Sequence, residues 1–508
     1  MGFFKRTFKF LMSRLFIVSL LLLAQLGLLI YIVWRISSGG IYYYLLINFL
    51  SVITALSIIN REFNPAYKIS WIIFVLSIPF AGVLFYLLFG RAKIGRKRRK
   101  LLYQKHNTAS LLLKNEDKVL DEIEDELIKR TSQYITNTTG ASIYKNTQTT
   151  FFSSGEELFV VLLEKLRSAE KFIFLEYFII ESGKMWNSIF DILKEKVNSG
   201  VEVRLMYDDF GCIKRITRKM KKEIENAGIK VVNFNPFRPR LSTFLNYRDH
   251  RKLAIIDGNV AFTGGINIAD EYINAKRMFG YWEDSGIMVE GDAVWTFTVA
   301  FLEMWHLEKD EEVDFEKYRP TLLCQHDGYV QPFTDGPLTP HLVTENTYLN
   351  IINNAKKYVY ITTPYLIIDN EMATALKNAA MSGVDVRIVT PGIPDKKLVF
   401  IVTQSYYKEL LLHGVKIYQY IPGFLHSKSI VSDGEVGVVG TANFDYRSLY
   451  LHYENSCYMY KSQAVRDLAK YYEKILDNSK QITFVDYKNI PLWKKILAFF
   501  LRAVSPLM

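Results

Sequence analysis

The sequence predicts an α/β protein in which two homologous α/β/α halves pack about a pseudo-twofold axis, preceded by N-terminal transmembrane helices. Three observations predict it. Matching segments recur in the same order at a nearly constant offset, each copy alternates apolar strand patterns with amphipathic helix patterns, and three charge-free apolar runs open the chain.

The apolar runs span Leu15 to Trp34, Ile41 to Ile59 and Ile69 to Phe89. Each is close to the roughly 20 residues that cross a hydrocarbon core, so residues 1–90 are expected to form a membrane anchor. The first run is longer than the apolar core of a secretory signal, and the "WRISSGG" that follows is a poor cleavage site, so it is expected to be retained. The charges conflict: Lys5, Arg6, Lys9 and Arg14 precede the first run, and seven basic residues in "RAKIGRKRRK" (91–100) follow the last. Both clusters favour the cytoplasm, yet three complete crossings would separate them. Either the smaller cluster yields or one run fails to cross, and Pro79 with Gly82 makes the third the one to bend. The larger cluster is expected to keep the bulk of the chain cytoplasmic and to attract anionic lipid headgroups at about 1 kcal/mol per basic residue.

Residues 91–145 read as a connector, basic and then acidic. Its "NEDKVLDEIEDELIKR" is expected to be a solvated helix with Val119, Leu120, Ile123 and Leu127 on one packed face. The first half follows at 146–310 and the second at 340–480, joined by 311–339. "SAEKFIFLEYFII" at 168 is echoed by "NAKKYVYITTPYLII" at 354, "SGVEVRLM" at 199 by "SGVDVRIV" at 382, and "AGIKVV" at 227 by "HGVKIY" at 413. In the last segment, 488–508, Trp493, Ile496, Leu497, Phe500, Leu501 and Val504 share a helical face while Lys494, Lys495 and Arg502 lie elsewhere, the pattern of an interfacial helix. Three cysteines, Cys212, Cys324 and Cys457, show no zinc spacing and indicate no disulfide framework.

The chemistry lies in a pair of motifs, "HRKLAIIDGNVAFTGGIN" (250–267) and "HSKSIVSDGEVGVVGTAN" (426–443); of the positions they share, only the second glycine changes, to Thr441. Strand alternation puts His250 beside Lys252 on one face, and His426 beside Lys428. Asn267 and Asn443 follow tight glycine turns that let an amide approach the same point. Convergence of both sets makes a phosphate site. Lysines and amides stabilise the charge spread over phosphoryl oxygens, so no metal or other cofactor is expected. One neutral imidazole attacks phosphorus while the other, protonated, supplies the leaving alcohol with its proton. An unperturbed pKa of about 6.5 suits histidine to both tasks.

These motifs resemble the HKD signature of the phospholipase D superfamily. "NYRDHRKLAIIDG", "FGYWEDSGIMVEG", "TPYLIID", "GFLHSKSIVSDG", "GTANFDYRSL" and the anchor ending "PFAGVLFYLLFGR" are similar to bacterial cardiolipin synthases, from about residue 41 to the C-terminus. The resemblance implies two phospholipase D-like halves, with His250 as nucleophile and His426 as general acid and base. It also implies that Lys252, Lys428, Asn267 and Asn443 hold the phosphate. Asp257 and Asp433 complete the catalytic motifs by position, although the resemblance implies a structural part for both. Asp284 of "WED" and Glu454 of "HYENS", further along each half, are expected to orient the imidazoles. The implied reaction moves a phosphatidyl group from one phosphatidylglycerol to another, giving cardiolipin and glycerol. Membrane phosphatidylglycerol and cardiolipin are the expected partners, and nucleic acid is not. A hydrolytic phospholipase D, another transphosphatidylase and a noncatalytic anionic-lipid scaffold are the alternatives.

His106, His306, His326, His341, His413 and His452 share no spacing and are expected to be packing or surface residues. Asp208 and Asp209 are expected to serve loop hydrogen bonds rather than a Mg²⁺ site.

Overall fold

The computed structural model describes residues 41–90, 96–114, 118–237, 246–309, 311–337, 339 and 341–507, with scattered positions between 16 and 31. The expectations for the apolar run 15–34 and for the start of the basic cluster 91–100 therefore lie wholly or partly outside the described residues. The described residues form two compact units, one holding the apolar N-terminal helices with the described residues of Asn235–Tyr247 and those from Ala503 onward, and an α/β one holding Lys100–Phe234 and Arg248–Arg502.

In the apolar unit, Ile41–Ile59 is the one helix among the described residues that is long and apolar enough to cross a membrane. The run 69–89 is not a single helix: it falls into Pro65–Ser77 and Pro79–Phe89, of 13 and 11 residues. Proline at 79 lacks the N–H that a continuous helix needs, and Ile78 caps both pieces. The pieces fold back on each other around Trp71, Val75 and Tyr86, with Ile58 from the long helix.

In the α/β unit, the first half lays down β1 (Thr147–Phe152), β2 (Phe172–Tyr177), β3 (Glu202–Asp208), β4 (Lys230–Phe234), β5 (Arg248–Asp249), β6 (Lys252–Ile256), β7 (Val260–Gly264), β8 (Tyr281–Glu283) and β9 (Gly286–Gly291). Seven of them form a mixed sheet in the order β1-β9-β7-β6-β2-β3-β4. The second half supplies β10 (Tyr329–Asp335), β11 (Tyr358–Thr362), β12 (Leu366–Ile367), β13 (Asp385–Pro391), β14 (Lys416–Tyr420), β15 (Gly423–Leu425), β16 (Ser429–Ser432), β17 (Val436–Gly440), β18 (Phe444–Asp445), β19 (His452–Tyr460) and β20 (Ser479–Ile482). Its sheet runs β10-β19-β17-β16-β11-β13-β14, the same order, with β20 added at the edge. Because β10 begins at Tyr329, the second half starts inside the stretch 311–339 that reads as a connector.

The repeated segments owe their likeness to shared local needs. "SG" closes a helix in each half: Gly200 and Gly383 follow Lys184–Asn198 and Asn370–Met381, and both take a positive φ, the left-handed geometry that ends helices. β2 is buried along all six residues, as expected of a central strand covered on both faces. One apolar cluster joins Phe174, Phe297, Phe301 and Trp305 of the first half to Val431, Val439, Met459, Leu468 and Tyr472 of the second. At about 1.5–3 kcal/mol per large buried side chain, this shared core makes the halves one body.

The acidic stretch 115–130 departs from the single helix its periodicity suggests. Asp125 accepts the N–H groups of Leu127 and Ile128 and starts a new helix, Glu126–Thr139, after the short turn Lys118–Asp121. Leu120, Ile123 and Ile128 face inward while Leu127 is exposed. Gln331 Nε2 of β10 donates to Ser132 O, Thr136 Oγ1 and Ala141 O, so this segment is packed against the second half rather than solvated.

Candidate active site

Two very short strands deliver the histidines. β5 runs parallel to the start of β19, with Arg248 opposite His452 and Asp249 opposite Tyr453, and the N–H of His250 donates to Tyr453 O at 2.9 Å. By pseudo-symmetry β15 runs parallel to β8, with Leu425 opposite Glu283, and the N–H of His426 donates to Glu283 O at 2.6 Å. Each half thus lends its histidine to a strand of the other, one residue short of an acid.

The pairs cross as a result. His250 Nδ1 lies 2.9 Å from Glu454 Oε1 and 3.0 Å from Oε2, and His426 Nδ1 lies 2.7 Å from Asp284 Oδ2. An ionised carboxylate only accepts, so each ring carries its proton on Nδ1 and a lone pair on Nε2. Asp284 and Glu454, expected to orient the imidazoles, each serve the histidine of the opposite half. Glu454 also accepts from Thr441 Oγ1 at 2.5 Å, and Asp284 from Ser285 N at 2.9 Å.

Both histidines are buried, with 8 % of each residue exposed. Burial holds His250 well below its ordinary pKa against the opposing pull of Glu454, and burial with the Lys428 ammonium lowers His426 to about 4. Burial works to raise the two acids, but His250 outweighs it at Glu454, and His426 with Lys428 outweighs it at Asp284, so both stay below the usual carboxylate range. Lys252 and Lys428 are buried, and their ammoniums donate to the carbonyls of His250 and His426. Burial lowers Lys252 to about 8 and Lys428 to about 7. Lys252 acts on both Lys428 and His426, and Asp284 and Glu454 act on both lysines, so the half-sites share one electrostatic field.

Asn267 accepts from Ile179 N at 2.9 Å and donates to Tyr272 Oη at 2.8 Å; Asn443 donates to Asp445 Oδ2 at 3.1 Å. Each amide nitrogen has a second hydrogen to offer. Asp257 and Asp433 stand apart from this chemistry, correcting their place in the catalytic set. The Asp257 carboxylate accepts the N–H groups of Glu170, Lys171 and Phe172 at 2.8–2.9 Å, and that of Asp433 those of Lys356, Lys357 and Tyr358 at the same lengths. Each also opens an Asp-Gly hairpin turn in which both residues take a positive φ, and that conformation suits the twist of the flanking strands. Their carboxylates are spent on staking the motif hairpin to the central strand. Asp208 likewise accepts Phe210 N, Gly211 N and Asp249 N, as expected of a loop acid.

The change from Gly265 to Thr441 between the motifs has a steric cause. A Cβ at Gly265 would sit 1.9 Å from Asp284 Oδ1, whereas the matching Thr441 puts its hydroxyl on Glu454. Gly265→Ala is therefore expected to push Asp284 off His426 and lower turnover about 10²-fold, the scale of an ångström-sized misplacement. Steady-state kinetics alongside a thermal melt checks this, and unchanged turnover in a folded variant refutes the steric account. Sequence reasoning missed the crossing and also the place of His452, which reads from sequence as a packing or surface residue. Its ring centroid lies 5.3 Å from that of His250, and its Nδ1 is 3.6 Å from Glu454 Oε1.

Comparison with known proteins agrees with this geometry. The family model described as cardiolipin synthase, PLD-like domain, matches residues 162–297 and 348–476, one match in each half, and the phospholipase D-nuclease N-terminal model matches 49–91. A protein named cardiolipin synthase from Alkalihalophilus pseudofirmus is 35 % identical over 94 % of this chain and 95 % of its own. Another of that name from Geobacillus thermodenitrificans is 35 % identical over 89 % and 91 %. Among solved structures, a phosphatidylserine synthase of Haemophilus influenzae superposes with a TM-score of 0.56 at 14 % identity, over 75 % of this chain and 98 % of that one, a likeness of fold. With both halves matched and the relatives covered almost end to end, the chain belongs to the bacterial cardiolipin synthase family of the phospholipase D superfamily.

Proposed function

We propose that the protein transfers a phosphatidyl group from one phosphatidylglycerol to a second, making cardiolipin and releasing glycerol. The observation that carries this reading is the crossed arrangement of two buried imidazoles, each fixed through Nδ1 by a carboxylate and presenting Nε2. In the first step His250 Nε2 attacks phosphorus, the P–N bond forms, and the bond to the glycerol oxygen breaks. His426 gives its Nε2 proton to that oxygen. In the second step the primary hydroxyl of another phosphatidylglycerol attacks the phosphohistidine, His426 takes its proton, and the P–N bond breaks. The phosphodiester anion favours the imidazolium of His426, offsetting the burial that keeps it neutral otherwise. Lys252, Lys428, Asn267 and Asn443 bind the non-bridging oxygens, where charge accumulates in the transition state. The experiment is product analysis with purified protein and phosphatidylglycerol vesicles. Cardiolipin and glycerol in equal amounts are expected; phosphatidic acid as the main product would make the enzyme a hydrolase.

The lysines give the reaction a pH signature. Lys428 is depressed to about 7 by burial and by Lys252, with Asp284 and Glu454 opposing and Lys396 adding to the repulsion. A depressed ammonium loses its charge as pH rises through that value, so kcat/KM for phosphatidylglycerol is expected to fall above about pH 7. Bound phosphate favours the ammonium, so the limb in kcat lies at higher pH. In Lys428→Arg, whose guanidinium stays charged, this limb should disappear from the profile of the residual activity. A limb that persists unchanged assigns it to another group.

We place the α/β unit on the cytoplasmic face, behind an anchor made from the apolar segments of residues 1–90. Cys212 and Cys457 are buried while Cys324 is partly exposed, so thiol labelling of sealed vesicles reads sidedness at Cys324. Protection of Cys324 from an impermeant reagent added to the cytoplasmic side would reverse the orientation. The helix Leu492–Val504 exposes Leu492, Trp493, Ile496, Phe499 and Phe500 and buries only Ala498, so we assign it to the headgroup boundary. The double variant Trp493→Ser, Phe499→Ser is expected to lose about tenfold in activity on vesicles and little in detergent micelles. Equal losses in both would make the helix a core element.

A further inference from the structure

We propose that His250, His452 and Glu454 form an inhibitory site for a divalent transition-metal ion of the zinc class. The three residues are buried, and their ligand atoms all lie within 4.8 Å of one another. Two of the separations, from Glu454 Oε1 to His250 Nδ1 and to His452 Nδ1, are 2.9 Å and 3.6 Å. They bracket the spacing of neighbouring ligands on a tetrahedral zinc with bonds of about 2.0–2.1 Å. Neither ring nitrogen of His452 makes a hydrogen bond to the described residues. A buried imidazole in that condition stands as a ready donor beside a carboxylate. Two histidines and one acid with an open fourth position are a donor set that zinc favours over magnesium or calcium.

The pseudo-symmetric half-site is an internal control. His452 precedes Glu454 by two residues on β19, so both face the same way. The residue two before Asp284 is Trp282, whose indole N–H lies 3.4 Å from Asp284 Oδ2 and has no lone pair to give a metal. The structure therefore assigns ion capture to the His250 side alone.

Capture would silence the nucleophile through its tautomer. The ion takes the lone pair of His250 Nδ1, an oxygen of Glu454 and one nitrogen of His452. The ring proton now on Nδ1 is carried instead on Nε2, with no net change in protonation. The Nε2 lone pair that attacks phosphorus is then absent, so the ion opposes catalysis and is no cofactor for it.

The test uses the full chain in detergent, stripped with a chelator and titrated with Zn²⁺ against a chromophoric competitor, without lipid. This arm does not depend on which lipid reaction the enzyme performs, so its failure is separate from failure of the synthase reading. Expected are one zinc per chain, at least tenfold weaker binding in His452→Gln, and loss of cardiolipin formation at matching free zinc that EDTA reverses. Equal zinc affinity in wild type and His452→Gln, or full activity with the site filled, overturns the proposal. Should His452→Gln not fold, Co²⁺ bound to the wild-type chain decides: an intense visible band of four-coordinate cobalt supports the site, and its absence overturns it.

Discussion

His250→Ala is expected to abolish cardiolipin formation, by roughly 10⁴-fold or more, because it removes the atom that bonds to phosphorus. His426→Ala should cost a similar factor by a different route. It leaves the nucleophile but strips the leaving glycerol of its proton donor and the acceptor of its base. The two variants separate in a trapping experiment with phosphatidylglycerol labelled in its phosphatidyl group and a denaturing detergent quench at alkaline pH, where the P–N bond survives. A phosphoenzyme is expected to accumulate slowly in His426→Ala and never in His250→Ala. Label retained by His250→Ala, at any rate, removes this histidine from the covalent step.

Glu454→Gln and Asp284→Asn are expected to lower kcat by roughly 10³–10⁴-fold with little change in KM, the cost seen when an amide replaces the acid behind a catalytic imidazole. An amide can donate to Nδ1 and so select the tautomer whose Nε2 is protonated. Because Glu454 holds His250 at 2.9 Å and Asp284 holds His426 at 2.7 Å, the lesions differ in a way their positions in the chain would not suggest. Glu454→Gln, in the second half, should slow formation of the phosphoenzyme. Asp284→Asn, in the first, should weaken proton delivery and let the intermediate build up. A rapid-quench time course measures both, and the reverse assignment would mean that the acids serve their own halves. Loss of folding is the confounding outcome, since an unpaired buried group costs about 3–5 kcal/mol, and a melt of each variant excludes it.

Much of this was legible before any coordinates. The segments at 168 and 354, 199 and 382, and 227 and 413 fall on equivalent strands and helix ends, and the two sheets run in one order. The Asp-Gly turns after Ile256 and Ser432 fit the hairpin chemistry of their sequence. The crossing was not legible, for a physical reason. β5 and β15 are too short for any periodicity, and their partners lie in the opposite half, far along the chain, where local patterns carry no information. His452 escaped notice because a solitary histidine on a strand carries no spacing to compare. The break at Asp125 was hidden by Leu127, which fits the apolar stripe but faces outward.

The exchange of β5 and β15 makes each half unable to work alone. A fragment ending near residue 310 would hold His250 with nothing behind its ring, and one beginning near 329 would hold His426 in the same plight. A split gene would regain activity only where the two products assemble, and a lesion in either moiety stops chemistry in the other. Two damaged full-length copies, one lacking His250 and one lacking Glu454, could not rescue each other by sharing lipid, because both defects fall on the same imidazole.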